Sequence, residues 1–427
     1  MKMGLPCCVF LLLSAVSLYG QPLDIEKQYY AVFVGPAKIG YIRTTRTVEG
    51  GRVITASLLK ISAQRDKFRI TAKVSIREVE TADGKPLSFR TVKEYSGTRS
   101  EICGEIQPDG KLKMTVKSGG DSKKMKIVTW PAGSVMSEGA RLIAMKKGLA
   151  PGTKYDVLEF DADSCTARKA SITVGELQNV RLTDRTTKLH KITQMMIFGS
   201  SVIGTTLYVD DECNAMKTVT GMMGMDMTMV ACDRSFALSP CNREVDFLKK
   251  LSIPSPVDIP DNAVKAIYLI QPLQNMTLKF PQIANQTVKK KGKLYEVTVT
   301  AVEMSASAEI PYKGQNRAAI KALKPSEYVQ SDSPEIRKLA DQAVGDAKNA
   351  ATAAVRIRNF VRGYITHKDL SVGFASAMEV ARSRTGDCTE HAVLTAALCR
   401  AAGIPARVVF GIVYVHGWLN YKDVFMG

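Results

Sequence analysis

A chain of 427 residues, 45% hydrophobic and 23% charged, has enough apolar material to bury cores in two or three domains, which excludes a disordered or fibrous polymer. Its formal charge of +18 comes from lysines and arginines scattered along the chain, with no arginine-rich helix and no aromatic-basic module. That excludes a dedicated nucleic-acid reader; a basic surface that meets anionic cell-wall polymer, lipid headgroups or acidic protein is expected instead.

The elements begin with a targeting segment. Lys2, the apolar run of residues 5–19 and small residues near position 20 predict a secretory signal peptide over 1–20. The run is too short for a stable membrane span, and no other stretch is long and apolar enough for one. Cys7 and Cys8 precede most of the run, the wrong place for a lipid-bearing cysteine.

Residues 21–250 read as a β-rich domain. Alternating runs at 29–34, 38–48, 68–79 and 102–106 are separated by turns at Gly50-Gly51, Asp83-Gly84, Asp109-Gly110 and Gly119-Gly120. This spacing predicts an antiparallel curved sheet or partly open barrel, interrupted by a helix over 137–147. Export permits disulfides, and Cys232 with Cys241 or Cys213 is a candidate bridge. Met225, Met227 and Met229 share one face of a strand; packing accounts for them better than a Cu(I) site, since Cys232 is the only soft ligand nearby.

Spaced prolines at 254, 256 and 260 predict a linker over 251–262 that neither pairs nor coils. A small β region follows over 263–324, with strands at 263–270 and 294–302. Ser333-Pro334-Glu335 reads as the start of a helix striped by Ile336, Leu339, Ala340, Ala343 and Val344. A second stripe runs through Ala350, Ala354, Ile357, Val361 and Tyr364, and a short helix is expected over 375–380.

The stretch that carries chemistry is Thr385-Gly386-Asp387-Cys388-Thr389-Glu390-His391-Ala392. Val393, Leu394, Ala397, Leu398 and Ala401 recur at helical spacing, and Gly403 with Pro405 supplies a stop. Cys388 is therefore expected in the first turn, where unpaired N–H groups and the positive end of the dipole favour a thiolate over a thiol of ordinary pKa about 8.5. The same N–H groups could receive the oxyanion formed when sulfur attacks a carbonyl. Glu390 reads as a first-turn anion suited to the dipole, and His391 as a polar neighbour, since a base is normally delivered from a separate element. Asp387, Glu390 and His391 are thus expected to surround the nucleophile without replacing its base. Cys399 lies about 16 Å along the helix from Cys388, too far for a disulfide, and is expected to be a buried thiol.

These residues, with Arg400-Ala401-Ala402-Gly403-Ile404-Pro405-Ala406-Arg407 after the helix, resemble the active-site segment of the transglutaminase-like superfamily. The resemblance covers residues 325–427 and implies an α+β fold, in which the β-rich N-terminal part precedes the helices and first strand of a papain-like core. It further implies a Cys-His-Asp triad that forms a thioester from a protein or peptide carboxamide, with no metal or organic cofactor. Water or an amine then resolves the thioester, and the residues do not choose between hydrolysis and cross-linking. The family's histidine follows the strand expected at 407–415 and a loop. The tail offers His416 and Asp423 as substitutes, while the family's own His and Asp would lie beyond residue 427, so the domain reads as C-terminally incomplete and inactive. Bacterial motif style makes the periplasm the first expected location, with the extracellular space or cell surface second. The other reading is a non-catalytic envelope scaffold or binding protein that keeps the fold. Oligomeric state is left open.

Overall fold

The computed structural model describes residues 25–65, 68–95, 98–118, 124–198, 201–222, 225–241, 252–260, 262–272, 278, 280–281, 283, 285–302, 308–368, 375–415 and 424–426. The chain divides into two compact units, with the boundary after residue 247. The region read as a signal peptide, the Gly119-Gly120 turn, His416 and Asp423 lie outside the described residues.

The first unit is one 14-stranded antiparallel sheet. One arm runs through β1 (Ile25–Val34), β2 (Ala37–Glu49), β3 (Arg52–Arg65), β4 (Phe68–Thr81), β5 (Pro86–Tyr95), β6 (Thr98–Ile106), β7 (Lys111–Ser118) and β8 (Lys124–Thr129). After α1 (Ser137–Lys147) the other arm runs through β9 (Lys154–Asp161), β10 (Thr166–Arg181), β11 (Thr186–Phe198), β12 (Ser201–Val209), β13 (Ala215–Met222) and β14 (Met225–Cys232). Every strand pairs with its sequence neighbours except β8 and β9, which end the two arms; β1 and β14 join the arms at the centre, where Ala31 faces Val230. Gly50 and Gly51 adopt φ of 56° and 75°, which the tight β2–β3 turn requires and a β-carbon would oppose.

Alternation puts one face of both arms into a single core. Ile39, Ile42, Leu59 and Val74 from the first arm share it with Ile172, Ile192, Leu207 and Met229 from the second. The arms also meet away from the centre: the Phe89 and Phe160 rings are 5.3 Å apart, and Trp130 and Phe160 4.3 Å. Between β8 and α1, Val135 bridges the β9 edge, donating to Leu158 O at 2.9 Å and accepting from Phe160 N at 2.8 Å. The sheet is thus curved and largely closed on its own core. Met227 and Met229 are buried in it, as packing residues.

The residue before α1 is Met136, whose side chain makes no capping bond. Two carboxylates from β4 take that role. Glu78 accepts from Ser137 N at 3.1 Å and from the Ser137 hydroxyl, while Glu80 accepts from Glu138 N at 2.6 Å and Gly139 N at 3.0 Å. Glu138 is in turn clamped by both Arg46 and Arg141, each contributing its Nε and Nη2. Burial would push Glu138 up, but these guanidinium bonds outweigh it and hold the carboxyl below its usual range.

The second unit holds two small sheets and a group of helices. β16 (Lys265–Ile270), β17 (Gln286–Lys291) and β18 (Leu294–Thr300) pair in the order β16-β18-β17, with Tyr295 and Val297 buried. β15 (Ser252–Pro254), β19 (Val413–Val415) and β20 (Val424–Met426) pair in the order β15-β20-β19. Its helices among the described residues are α3 (Arg317–Lys321), α4 (Pro334–Val344), α5 (Ala350–Tyr364), α6 (Ala377–Ser383) and α7 (Cys388–Ala401); α2 (Arg234–Leu238) follows β14 in the first unit. A β-rich antiparallel region followed by helices and short strands is the α+β arrangement expected.

Three local expectations are corrected. The proline-rich segment does pair, because β15 is an edge strand and Pro254 sits at its end, where a missing N–H breaks no ladder. The strand expected over 407–415 shrinks to Val413–Val415: alternation there has a partner only where β20 lies alongside. β20 is also a second strand after the cysteine helix, where only one was expected. None of the seven described cysteines forms a disulfide. Cys213 is buried in the turn before β13, Cys232 faces Tyr29 at the end of β14, and Cys241 is exposed beyond α2, so the candidate bridge is not made.

Candidate active site

The start of α7 is built by four residues with separate jobs. Asp387 is the N-cap, accepting from Thr389 N at 2.9 Å. Glu390, at the third helical position, closes a capping box by accepting from Asp387 N at 3.0 Å through Oε2. Its Oε1 accepts from Ala375 N, also at 3.0 Å, tying the helix start to the segment before α6. Gly386 has φ of 153°, and a β-carbon there would lie 2.2 Å from Glu390 Cβ, so only glycine lets the chain pass this closely.

Cys388 is then the first helical residue and is exposed. Two positions on, Glu390, read from sequence as a first-turn anion suited to the dipole, is fully buried. Burial, and then the charge of Asp387, push its carboxyl up to about 7. His391 turns back along the helix: its Nδ1–H donates to Asp387 O at 2.6 Å, which fixes the proton on that nitrogen because a carbonyl can only accept.

Behind this turn the helix is anchored by apolar packing. Val393, Leu394, Ala397 and Leu398 are buried, and α7 packs on α4, α5 and α6. Facing them are Ile336, Leu339 and Ala340 of α4 and Ala353, Ile357 and Val361 of α5. Cys399 belongs to this buried face, and burial pushes its thiol up to about 11. Two cysteines on one helix thus occupy opposite environments.

The second motif block locks the far end. Gly403 adopts φ of 78°, and a β-carbon there would lie 2.5 Å from Pro311 Cβ. Its carbonyl accepts from Tyr312 N at 2.9 Å. Arg400 Nε donates to Ala406 O at 2.8 Å and Nη1 to Lys324 O at 2.7 Å. Arg400-x-x-Gly403-Ile404-Pro405-Ala406 is therefore a clamp on the chain leaving the helix.

One residue passed over in the sequence is brought to the cysteine turn. His367 is exposed and pairs in a parallel bridge with Thr385; its N–H donates to Arg384 O at 3.1 Å and its carbonyl accepts from Gly386 N at 3.0 Å. No local pattern announces this, because the contact joins segments separated by α6. On the other side, the Tyr414 hydroxyl of β19 donates to Asp258 Oδ1 at 2.8 Å and accepts from Ile259 N at 3.1 Å. Among the described residues no group of three or more His, Cys, Asp or Glu side chains is placed to hold a metal ion. No helix among them is long and apolar enough to cross a membrane.

Comparison with known proteins adds the following. No curated protein matches the chain. The crystal structure of a beta-barrel-like protein of a domain of unknown function from Brucella abortus is similar at 13% identity and a TM-score of 0.39, over 50% of this chain and 98% of that one. That of a "putative cysteine protease" from Cytophaga hutchinsonii is similar at 21% identity and a TM-score of 0.22, over 33% of this chain and 53% of that one. The model of the Transglutaminase-like superfamily matches residues 337–424, about a fifth of the chain, from α4 to the first residue of β20. Over that stretch, the C-terminal part of this chain is similar to the transglutaminase-like superfamily.

Proposed function

We propose that the protein is a cysteine-dependent acyl-transfer or amide-hydrolysing enzyme of the cell envelope, acting on protein or peptide carboxamides through a thioester on Cys388. One observation carries this reading: within the stretch that matches the superfamily, a cysteine is exposed at the first position of a helix whose opposite face is buried. The helix start favours the thiolate, and rigid packing holds the sulfur in place.

In the reaction, Cys388 Sγ attacks the carboxamide carbon, forming the S–C bond while the carbonyl oxygen takes the negative charge. Backbone N–H groups at the helix start stabilise that oxyanion. The C–N bond then breaks, and the leaving amine departs with a proton from a general acid. Water or a second amine attacks the thioester carbon, giving the carboxylic acid or a new amide and returning the sulfur. Proton transfer calls for an imidazole, which the resemblance implies on a strand after the cysteine helix; His416 and Asp423 are the substitutes the sequence offers for the family's His and Asp. Export rests on the apolar run of residues 5–19 and is checked by sequencing the amino terminus of the mature protein.

The test uses the full chain with a glutamine-containing peptide, and hydroxylamine to trap the thioester as a hydroxamate. Hydroxamate should form with the native protein and fall at least about a thousandfold in Cys388→Ala. Turnover surviving in Cys388→Ala overturns the reading. A folded native protein that forms no adduct with any carboxamide tested also overturns it, in favour of the scaffold. Loss of turnover in His416→Ala with folding intact assigns the base.

A further inference from the structure

The small sheet β16-β18-β17 meets its packing needs on one face. Tyr295 and Val297 are buried there, and the Phe280 ring lies 5.5 Å from that of Tyr295. Directly opposed residues of an antiparallel pair point the same way, and the register aligns Leu269 with Glu296 and Glu296 with Lys289. The other face therefore carries Lys265, Ile267 and Leu269 of β16, Glu296 of β18, and Lys289 and Lys291 of β17. A solvated sheet face normally alternates to polar residues, yet Ile267 and Leu269 are 56% and 65% exposed in mid-strand. Val264 and Val302 are exposed as well, where Ala301 N donates to Val264 O at 2.8 Å past the end of the strand pair.

This aliphatic strip is framed by positive charge. From Gln286 to Thr300 four lysines, with Lys293 of the turn among them, stand against one carboxylate, Glu296. That carboxylate bonds to Lys291, and the bond, with the charges of Lys291, Lys289 and Lys265, holds it below its usual range, so three ammonium groups converge on one acid. Edge lysines alone are explained as guards against pairing with another chain. They do not explain two large aliphatic side chains among them, at positions where polar residues would serve the sheet as well. A soluble anionic polymer has no use for the aliphatic groups, and a wholly apolar surface has none for the lysines. Apolar side chains ringed by lysines match a phospholipid surface, with phosphates outside and acyl chains beneath.

We propose that this face docks on an anionic phospholipid surface, with Ile267 and Leu269 entering the boundary between headgroups and acyl chains while Lys265, Lys289, Lys291 and Lys293 meet the phosphates. The contact is peripheral. It needs no membrane-crossing helix, and neither Cys388 nor turnover enters it. Ionic attraction brings the face to the lipid and weakens with salt, whereas insertion of the aliphatic side chains persists, so the two contributions separate.

The experiment sediments the full chain with vesicles of phosphatidylcholine alone or mixed with phosphatidylglycerol, the fold of each variant being checked by circular dichroism. The native chain should bind the mixed vesicles. Replacing both aliphatic residues, Ile267→Ser with Leu269→Ser, or two lysines, Lys289→Glu with Lys291→Glu, should weaken that binding at least about tenfold. Leu177→Ser, which removes a leucine 46% exposed in the β-rich unit, should leave it unchanged, and an equal loss there overturns the proposal. Because the chain is basic throughout, charge alone also draws it to anionic vesicles: equal binding by the native chain and the folded double-serine protein overturns the proposal. So does a native chain that passes over the mixed vesicles, and its binding to polyglutamate would then name an acidic polymer as the partner. Where the double-serine protein fails to fold, Leu269→Trp decides. Added tryptophan emission that moves to the blue on mixed vesicles and is quenched by phospholipid brominated in its acyl chains supports insertion; emission that does neither overturns it.

Discussion

Both units bury carboxyl groups against the start of a helix, and they do so with opposite consequences. At α1 the residue in the N-cap position is Met136, which cannot cap, so Glu78 and Glu80 reach over from β4 to take the backbone N–H groups. At α7 the cap is local, made by Asp387 and Glu390 within one turn. The first solution welds a helix to a sheet and fills its start with protein. The second leaves the first helical side chain, Cys388, facing solvent. Burial of the same functional group therefore serves anchoring in one place and sets the charge beside a thiol in the other. What decides between them is whether the capping groups come from afar or from the turn itself.

The largest effect that sharpens this contrast is expected at Glu138. Its carboxylate holds both Arg46 and Arg141 in two-pronged bonds, and its side chain is only 2% exposed. Glu138→Ala leaves two guanidinium groups poorly compensated in the interior, a change that costs roughly 3–5 kcal/mol. Urea unfolding followed by Trp130 fluorescence, in a Trp418→Phe background so that a single tryptophan reports on the β unit, measures it. A loss under about 1 kcal/mol would show that the cluster is solvated and that α1 is not anchored by charge.

A smaller effect separates the units by pH. Glu80 and Glu159 are pushed up to about 8, in each case by burial first and by the charge of Glu78 second, whereas Glu390 is pushed up to about 7. In each case the folded state keeps a proton that the unfolded chain has already released. Their contribution to stability is therefore fully present below the ordinary glutamate pKa of about 4.5 and is lost as pH rises through the folded value. The helical unit should stop losing stability from this source near pH 7, while the β unit continues to weaken toward pH 8. Melting curves at half-unit steps, with Trp130 reporting on one unit and far-ultraviolet helical signal on the other, test the offset. Parallel curves through that interval would remove this distinction between the buried carboxyls.

The same contrast marks how far the sequence could be read. The hairpins at Gly50-Gly51, Asp83-Gly84 and Asp109-Gly110 were legible from their turn residues, and the α1 bounds, 137–147, follow from local pattern alone. The pairing of Tyr29 with Cys232 was not legible, because nothing local marks two segments that distant as neighbours. At the cysteine turn, the helix start could be read from Asp387, the apolar stripe and Gly403. The burial of Glu390 could not, since Ala375 N–H arrives from another segment; its spacing from Asp387, cap to third position, was the available sign. The alternation of Val408, Phe410, Ile412 and Tyr414 suggested a long strand, but alternation reports a surface and not a partner. Phe410 and Ile412 remain exposed, outside the paired residues.

The smallest expected effect is the sharpest test of the local cap. Asn caps helices about as well as Asp, so Asp387→Asn keeps an acceptor for Thr389 N and should change stability by less than about 0.5 kcal/mol at pH 5, where Glu390 is protonated. What the variant removes is charge. Burial still pushes Glu390 upward, but the second cause, Asp387, is gone, so its folded value should fall from about 7 toward the ordinary range. The loss of stability between pH 4.5 and pH 7 should then be shallower than in the native protein, and Asp387→Asn should become the more stable of the two above neutrality. At α1 no equivalent exchange is available, because the N-cap residue contributes no charge and the carboxylates lie on β4. Paired melting curves of native and Asp387→Asn protein at pH 5 and pH 8 decide the matter: a crossing supports the coupled pair, and a uniform offset at both pH values would mean that Asp387 acts on the helix start only as a cap.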